Sequence, residues 1–236
     1  MISANGIGAF SERDDGMSRV VVFGTGQIAE VADFYLEKDS EHEVVAFTVD
    51  KEYIKESVFL GLPVIPFEDV DSIFPPDGYR MFIPISYKSM NRARERKYLE
   101  AKKKGYSFIS YISSKAVYYG TAVGENCFIL ENNVLQPFSK VGNNVVMWSG
   151  NHLGHHSVVG DNCFVTSQAV ISGNVSIGNN SFVGVNATIR DNLEIGRYSL
   201  IGAGAVILGN TSDYDVYTAK GSTVKLPKRS IDILHI

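Results

Sequence analysis

The second half of the chain repeats every six residues. From Val123 to Ile207 every sixth residue is aliphatic or methionine, without a break over fifteen positions. The residue four places further on is mostly small, and the residue directly after the aliphatic one is often glycine. Because helices repeat every ~3.6 residues and strands every two, a period of six fits neither element alone. It predicts short strands wound into a parallel β-helix, in which three hexads close one triangular coil of eighteen residues.

In such a β-helix the aliphatic column points inward and the small column lies where the chain bends. Val117 is expected to extend the inward column by one hexad. The two cysteines, Cys127 and Cys163, fall in the small column and are expected to be inert core thiols. Two cysteines are too few for a disulfide framework, so a reduced, cytoplasmic protein is predicted. Trp148 follows an inward residue and is expected to face outward, at a subunit interface rather than a ligand wall.

The first half has the pattern of a small nucleotide-binding module. The stretch "RVVVFGTGQIAEVADFYLEK" predicts a strand, a turn at Gly24 and Gly26, and a helix in which Ala29 takes the third place of G-x-G-x-x-G/A. A helix N-terminus behind such a turn suits a phosphate, and Asp50, at the end of the second predicted strand, suits a ribose hydroxyl. The alternative is a tight turn that only packs well. A dinucleotide dehydrogenase is disfavoured, because the chain has no second mononucleotide-binding half.

Composition argues against several classes of protein. The net charge of −4 disfavours a nucleic-acid-binding protein, which normally has a basic face. No apolar stretch approaches the ~20 residues that cross a membrane, and the N-terminus lacks the basic start and apolar core of a signal peptide. Residues 1–17 are expected to be a flexible leader, with Met17 as a candidate functional start.

The hexads "VGENCF", "VGDNCF", "IGNNSF" and "IGAGAV" resemble the left-handed β-helix of the hexapeptide-repeat acyltransferases, over residues 112–210. A Rossmann-like domain at 18–111 ahead of such a β-helix resembles the NeuD/PglD sugar acyltransferases. The resemblance implies an α/β N-terminal Rossmann-like βαβ domain followed by a left-handed parallel β-helix. It also implies a homotrimer with active sites between subunits, acetyl-CoA bound between neighbouring β-helices, and a nucleotide-linked amino sugar held by the first domain.

Several positions of the first domain match places where this family holds its sugar nucleotide. By that resemblance the glycine turn meets the phosphates or the base-side backbone, the acidic residue meets the base or ribose, and residues after the third strand flank the site. These candidates are Gly24, Thr25, Gly26, Asp50, Ser86 and Lys88. On the helix that follows, Arg92 and Arg94 are interpreted as part of a solvated face, with phosphate contact as the alternative.

The run "HHSVVG" at 155–160 contains the candidate base. The family motif here is a histidine, an acidic residue, a small residue, two aliphatic residues and a glycine, so the resemblance makes His155 the general base. Imidazole, with an ordinary pKa near ~6.5, suits that task. His156 is a candidate catalytic residue that departs from the motif. It is expected to act as a neutral partner, unless Asp161 or a carboxylate of another subunit replaces it.

The coil length gives an independent expectation. Eighteen residues after His155 the chain has Gly173, whose N–H would lie beside the base and stabilise an oxyanion on the thioester. The family also has a glycine at this place, and contact with CoA is expected. A metal site built from His152, His155 and His156 is disfavoured, because adjacent residues rarely aim at one ion, and no metal is predicted. The other alternative is that these histidines are ordinary solvent-facing residues.

Residues 211–236 leave the repeat and form a basic stretch in an acidic protein. The stretch contains Lys220, Lys225, Lys228 and Arg229. The resemblance places Lys220, Lys225 and Lys228 near the adenine and 3′-phosphate end of CoA. The alternative is a solvated tail.

The predicted function is acetyl-CoA-dependent acetylation of the amino group of a UDP-, dTDP- or GDP-linked amino sugar, for surface polysaccharide or glycan biosynthesis. Direct attack by the amine needs no serine or cysteine nucleophile. The alternatives are a sugar O-acetyltransferase of the sialic-acid type and a trimeric sugar-nucleotide-binding scaffold without turnover. The missing acidic partner at residue 156 favours the scaffold.

Overall fold

The computed structural model describes residues 16–219, which form an α/β domain followed by a β-helix, as predicted. Most of the predicted leader lies outside the described residues, as do Lys220, Lys225 and Lys228. Within the described span no helix is long and apolar enough to cross a membrane.

The N-terminal domain is a five-stranded sheet covered by helices on both sides. Its elements are β1 (Arg19–Phe23), α1 (Gln27–Asp39), β2 (Glu43–Val49), a 3-10 turn (Lys51–Tyr53), β3 (Val58–Phe59), β4 (Leu62–Pro66), α2 (Val70–Ile73), β5 (Arg80–Phe82) and α3 (Arg92–Lys103). The strand order is β3-β4-β2-β1-β5, and every neighbouring pair is parallel except β3 and β4. Along β1, Val20 and Val22 pack in the cluster that contains α1, and Val21 packs in the one that contains α3. Burial of both sheet faces explains why this strand is continuously apolar.

The β-helix has three flat faces, each a parallel ladder of two-residue strands. Face 1 contains β6 (Tyr111–Ile112), β9 (Phe128–Ile129), β12 (Val146–Met147), β15 (Phe164–Val165), β18 (Phe182–Val183), β21 (Leu200–Ile201) and β23 (Val216–Tyr217). Face 2 contains β7 (Val117–Tyr118), β10 (Val134–Leu135), β13 (His152–Leu153), β16 (Val170–Ile171), β19 (Thr188–Ile189) and β22 (Val206–Ile207). Face 3 contains β8 (Ala122–Val123), β11 (Lys140–Val141), β14 (Val158–Val159), β17 (Ser176–Ile177) and β20 (Glu194–Ile195).

The inward column is the core of the β-helix. From Ile129 to Ile207 every sixth side chain is at most 3% exposed, and successive coils pair residues eighteen apart. The expectation for Val117 is wrong. Val117 pairs with Val134 and is 45% exposed, while Tyr118 pairs with Leu135 and packs on the core. The first coil is therefore one residue shorter than the others on this face, which shifts the column by one place.

A further column sets the bends of the β-helix. From residue 126 to residue 204 every sixth residue has a positive φ, and eight of these fourteen residues are asparagine. Asparagine and glycine tolerate the left-handed region better than other residues do. Three aromatic side chains also occupy the column: Phe138, His156 and Tyr198. Each bend therefore contains one residue with a left-handed backbone conformation, and the next strand begins two residues after it.

The N-terminal domain packs on face 1 of the β-helix. Phe128, Val146 and Phe164, whose side chains point out of this face, join the cluster formed by α1 and the sheet. Trp148 packs against the same cluster, in contact with the N-terminal domain of its own chain, and the subunit interface expected there stays a prediction. Its outward direction is as predicted, but the surface that it meets belongs to the same chain.

Arg94 joins α3 to the β-helix. Its side chain is fully buried and donates to the carbonyl oxygens of Asn144, Asn162 and Cys163 in two successive coils, at 2.8–3.1 Å. It also donates to the Ile85 carbonyl oxygen at 3.2 Å. Burial lowers the pKa of this guanidinium to about 10, which leaves it charged at neutral pH. Both interpretations of Arg94 as a solvated or phosphate-binding residue are therefore wrong.

Asp39, at the end of α1, ties the first domain to the start of the β-helix. Its Oδ2 accepts from Tyr111 Oη at 2.6 Å, Ser113 Oγ at 3.1 Å and Ser114 N at 2.9 Å. Burial acts to raise the pKa of this carboxyl, but the hydrogen bonds outweigh it and hold the pKa at about 2. The charged form is therefore the one that the fold stabilises.

We expect the Asp39 contacts to make stability depend on acid pH. Because folding lowers this pKa, its contribution is complete above the ordinary value of 3.8 and is lost as the pH falls toward 2. Urea unfolding should show that Asp39→Asn lowers the free energy of unfolding at neutral pH. The difference in free energy of unfolding between the parent protein and the variant should become smaller as the pH falls from 4 to 2. An unchanged gap over that range would contradict this origin.

Candidate active site

The glycine turn lies at the carboxyl edge of the N-terminal sheet. Gly24 has φ +123°, and a Cβ there would lie 3.3 Å from the Ala29 Cβ, so strand and helix approach closely at this point. Gly26 is the N-cap of α1, and in the described part of the chain no atom beyond its chain neighbours lies within 4 Å of where its Cβ would be. An open helix N-terminus of this kind suits a phosphate. Thr25 lies between the two glycines.

Asp50 and the loop after β5 flank this turn. In the sheet order β1 lies between β2 and β5, so the residues that follow these three strands meet at one edge. One carboxylate oxygen of Asp50 is already engaged, since Lys97 Nζ donates to its Oδ1 at 2.6 Å. The Ser86 carbonyl oxygen accepts from Arg94 Nη1 at 3.2 Å, and Lys88 is exposed.

The candidate base lies on the β-helix, at the vertex between faces 2 and 3. His155 and His156 are both exposed there, and their Nδ1 atoms are 3.1 Å apart. The backbone N–H of His155 donates to Gln136 Oε1 at 2.9 Å, in the coil below. His156 has φ +59° and occupies the column of left-handed residues.

Gly173 lies against the ring of His155, as the coil length predicts. A Cβ on this glycine would be 2.7 Å from both His155 Nε2 and His155 Cε1. A side chain at residue 173 would therefore displace the imidazole. The N–H of Gly173 has no hydrogen-bond acceptor within residues 16–219, whereas its oxygen accepts from Asn192 N at 3.0 Å. The vertex thus presents an imidazole and a free backbone donor side by side.

Within one chain the base is far from the nucleotide-binding candidates. The N-terminal domain covers face 1 and contacts the vertices on both sides of it, through Tyr35–Glu131 at 2.7 Å and through Arg94. The vertex that carries His155 is the one opposite face 1. A single chain therefore presents the two parts of the candidate site on different sides of the β-helix.

The cysteines are buried core thiols, as predicted. Cys127 and Cys163 are both 0% exposed, and burial raises the pKa of each thiol to about 12. His152 points out of face 2, away from the vertex of the other two histidines. In the described part of the chain no group of three or more His, Cys, Asp or Glu side chains is placed to hold a metal ion.

Sequence reasoning missed the residues below the histidines. Gln136 holds the His155 backbone, and the ring of Phe138 lies 4.8 Å from the ring of His156. The signal was available, because residue 138 precedes residue 156 by one coil in the left-handed column. That column was not used in the prediction.

The comparisons with known proteins agree with this architecture. The family model for bacterial transferase hexapeptide (six repeats) matches residues 174–209. No curated protein sequence matches the chain. The acetyltransferase domain of PglB from Neisseria gonorrhoeae, in complex with acetyl coenzyme A, is 22% identical with a TM-score of 0.76, over 85% of this chain and 96% of that chain. WeeI from Acinetobacter baumannii is 21% identical with a TM-score of 0.59, over 85% of this chain and 96% of that chain.

A third structure is similar in sequence as well as fold. It is a histidine-to-asparagine variant of perosamine N-acetyltransferase from Caulobacter crescentus, in complex with CoA and GDP-perosamine. It is 25% identical with a TM-score of 0.75, over 84% of this chain and 91% of that chain. These likenesses confirm the resemblance to the NeuD/PglD hexapeptide-repeat acyltransferases and the prediction that the chain is an acyltransferase.

Proposed function

We propose that the protein transfers the acetyl group of acetyl-CoA to the amino group of a nucleotide-linked amino sugar. The main support for the proposal is that the exposed imidazole of His155 lies against Gly173, and that the N–H of Gly173 has no hydrogen-bond acceptor among residues 16–219. A base beside an oxyanion donor is the arrangement that acyl transfer to an amine uses. The likeness to perosamine N-acetyltransferase supports an amino sugar as acceptor.

The chain's own residues account for the proton and the charge. The amine nitrogen attacks the thioester carbonyl carbon, and the Gly173 N–H donates to the oxyanion that forms. Nε2 of His155 takes a proton from the attacking nitrogen, and the C–S bond breaks as the carbonyl re-forms. The CoA thiolate then takes the proton from the imidazolium, which leaves an amide, free CoA and neutral His155. No enzyme nucleophile is needed, in keeping with the burial of both cysteines.

The contact between Gly173 and His155 gives a specific expectation. In Gly173→Ala the new Cβ would lie 2.7 Å from Nε2, so the exposed ring must move. A displacement of about 1 Å can cost roughly 10²-fold in rate, and we expect a loss of that order in kcat by CoA release. The melting temperature should not change, because only the exposed end of a side chain gives way.

The matched control is Gly209→Ala, since among residues 16–219 no atom outside its chain neighbours lies within 4 Å of where that Cβ would be. It should retain full activity. Full activity in Gly173→Ala would instead show that the His155 ring is not held in a catalytic position.

We also infer that a second copy of the chain completes each site, in a homotrimer. The support is the placement of His155 opposite the N-terminal domain, together with the outer surface of face 2. That surface is a strip of mostly β-branched side chains: Val117, Val134, His152, Val170, Thr188 and Val206. Val170 is 42% exposed and Val206 is 61% exposed, and an apolar strip of this kind favours a protein interface. The corresponding strip on face 3 includes Lys140, Ser176 and Glu194.

Sedimentation should give a particle of three 25.9 kDa chains. Val170→Lys, which places a charge in the centre of the strip, should yield smaller particles without activity. Ser176→Lys, the matched change on the exposed face 3, should alter neither the size of the particle nor its activity. A fully active monomer would contradict the shared site.

Thermal unfolding with ligands tests the proposed function before a substrate is known. Acetyl-CoA and a panel of UDP-, dTDP-, GDP- and CMP-linked sugars are added one at a time. A ligand that binds only the folded protein at a hundred times its Kd adds about 2.7 kcal/mol of stability. We expect acetyl-CoA and one class of nucleotide sugar to raise the melting temperature. No shift with any of them would contradict the proposal.

A further inference from the structure

Phe138 is an unusual residue for its position in the β-helix. Its ring is 72% exposed, and its backbone has φ +67°, at a column position that is mostly asparagine. A bulky residue in the left-handed region costs on the order of 1–3 kcal/mol and persists where the surrounding structure requires it. Neither core packing nor the bend accounts for phenylalanine here, so its contacts must be sought at the surface.

The contact of Phe138 is the candidate catalytic vertex. Its ring centroid lies 4.8 Å from that of His156, with the planes tilted by 36°. The two residues occupy the same column one coil apart, so their side chains lie one above the other. The His156 N–H also donates to the Pro137 oxygen at 3.4 Å. Backbone and ring of His156 are therefore both supported by the coil that contains Phe138.

His156 in turn meets His155. The 3.1 Å separation of the two Nδ1 atoms is a hydrogen-bond distance, and one of the two nitrogens carries the proton. The vertex residues of the coils above and below are Gln136, Pro137, Phe138, Gly173 and Asn174, which carry no charge. Asp161, the carboxylate nearest along the chain, lies at the vertex between faces 3 and 1, where its Oδ1 accepts from Asn143 N at 2.7 Å. His152 and Lys140 lie on the flanking strands, and Asp191 lies two coils from His155. No carboxylate in these two neighbouring coils therefore orients the base.

We propose that Phe138 is a positioning residue, which holds the His156 ring so that its Nδ1 accepts a hydrogen bond from Nδ1–H of His155. This arrangement leaves Nε2 of His155 without a proton, on the side that faces Gly173. The inference rests on the proposed function, in which Nε2 is the base. The imidazole of His156, held by the ring of Phe138, thus orients His155 through a hydrogen bond, where a carboxylate would orient it by charge.

The test replaces Phe138 by asparagine, the residue most frequent in the column. Phe138→Asn should fold with at least the stability of the parent protein, because asparagine tolerates the left-handed region. The ¹⁵N spectrum of the His155 ring should change from a single Nδ1–H form to a mixture of both neutral tautomers. We expect kcat to fall roughly 10–100-fold, the range seen when orienting partners of metal-bound histidines are removed.

Phe138→Tyr keeps the ring and should restore both the spectrum and kcat. In a His156→Asp background the carboxylate should orient His155 by charge, so Phe138→Asn should change kcat much less there. An unchanged tautomer in Phe138→Asn overturns the proposal, whatever the activity does. The spectrum does not depend on turnover. A changed tautomer together with full activity of His155→Ala would uphold the ring geometry and reject the proposed function.

Discussion

Replacing His155 with alanine is expected to lower kcat/KM for acetyl transfer by roughly 10²–10⁴-fold, the contribution typical of a general base. In the proposed mechanism the imidazole takes the proton of the attacking nitrogen, beside the N–H of Gly173, which has no acceptor among residues 16–219, so its loss leaves that nitrogen without a proton acceptor. The reaction is followed by the release of CoA thiol, with a saturating nucleotide amino sugar.

Stability is the control for this variant. His155 is exposed, and among residues 16–219 its side chain bonds only to exposed His156, so the free energy of unfolding should change by no more than about 0.5 kcal/mol. The variant should also bind acetyl-CoA. Added imidazole should restore part of the rate, since a small base can enter the space that the side chain leaves. Full activity in the variant would remove His155 from the mechanism.

Replacing Arg94 with leucine is expected to lower the free energy of unfolding by about 3–5 kcal/mol. The guanidinium is the donor to carbonyl oxygens of two coils and of the loop after β5, and each buried acceptor left unsatisfied costs about 1–3 kcal/mol. Arg94→Lys should recover little, because one ammonium cannot reproduce the planar fork of donors. Urea unfolding at fixed protein concentration measures the loss.

Arg92 provides a matched control two residues earlier on the same helix. It is exposed and lies over the Tyr198 ring at 5.0 Å, a contact worth about 0.5–1 kcal/mol at an exposed site. Arg92→Leu should therefore change the free energy of unfolding by no more than about 1 kcal/mol. Equal losses in the two leucine variants would show that the carbonyl contacts of Arg94 do not join the domains.

The repeat made most of the β-helix predictable from sequence. Six residues per strand and bend, and eighteen per coil, determine which side chains point inward and which stack, and this is why Gly173 could be placed over His155. The prediction for Val117 was wrong, because the first coil is one residue shorter than the others. A regular period does not show at which residue the regularity ends.

Contacts between the two domains were not predictable in the same way. The helix "NRARERKYLEAKKKG" is highly charged, and its short apolar stripe is easy to overlook. Tyr98 and Ala101, four and seven residues after Arg94, are buried and place Arg94 on the inner face, a helical spacing that the prediction did not use. Apart from Asn91 Oδ1, the partners of Arg94 are backbone carbonyls up to 69 residues away, and these have no sequence signature. The contact of Trp148 with the N-terminal domain was not predictable for the same reason: its outward direction follows from the hexad, but the surface that it meets does not.

The most direct test of the proposed function is CoA release from acetyl-CoA with pairs of nucleotide sugars that differ only in an amino or a hydroxyl group. We predict release with one amino sugar and none with its hydroxyl counterpart, and an acetylated amine in the product. Release with the hydroxyl sugar instead would show a sugar O-acetyltransferase and contradict the proposed acceptor. No release with any sugar, from a protein that binds both ligands, would show a scaffold and contradict the proposed catalysis.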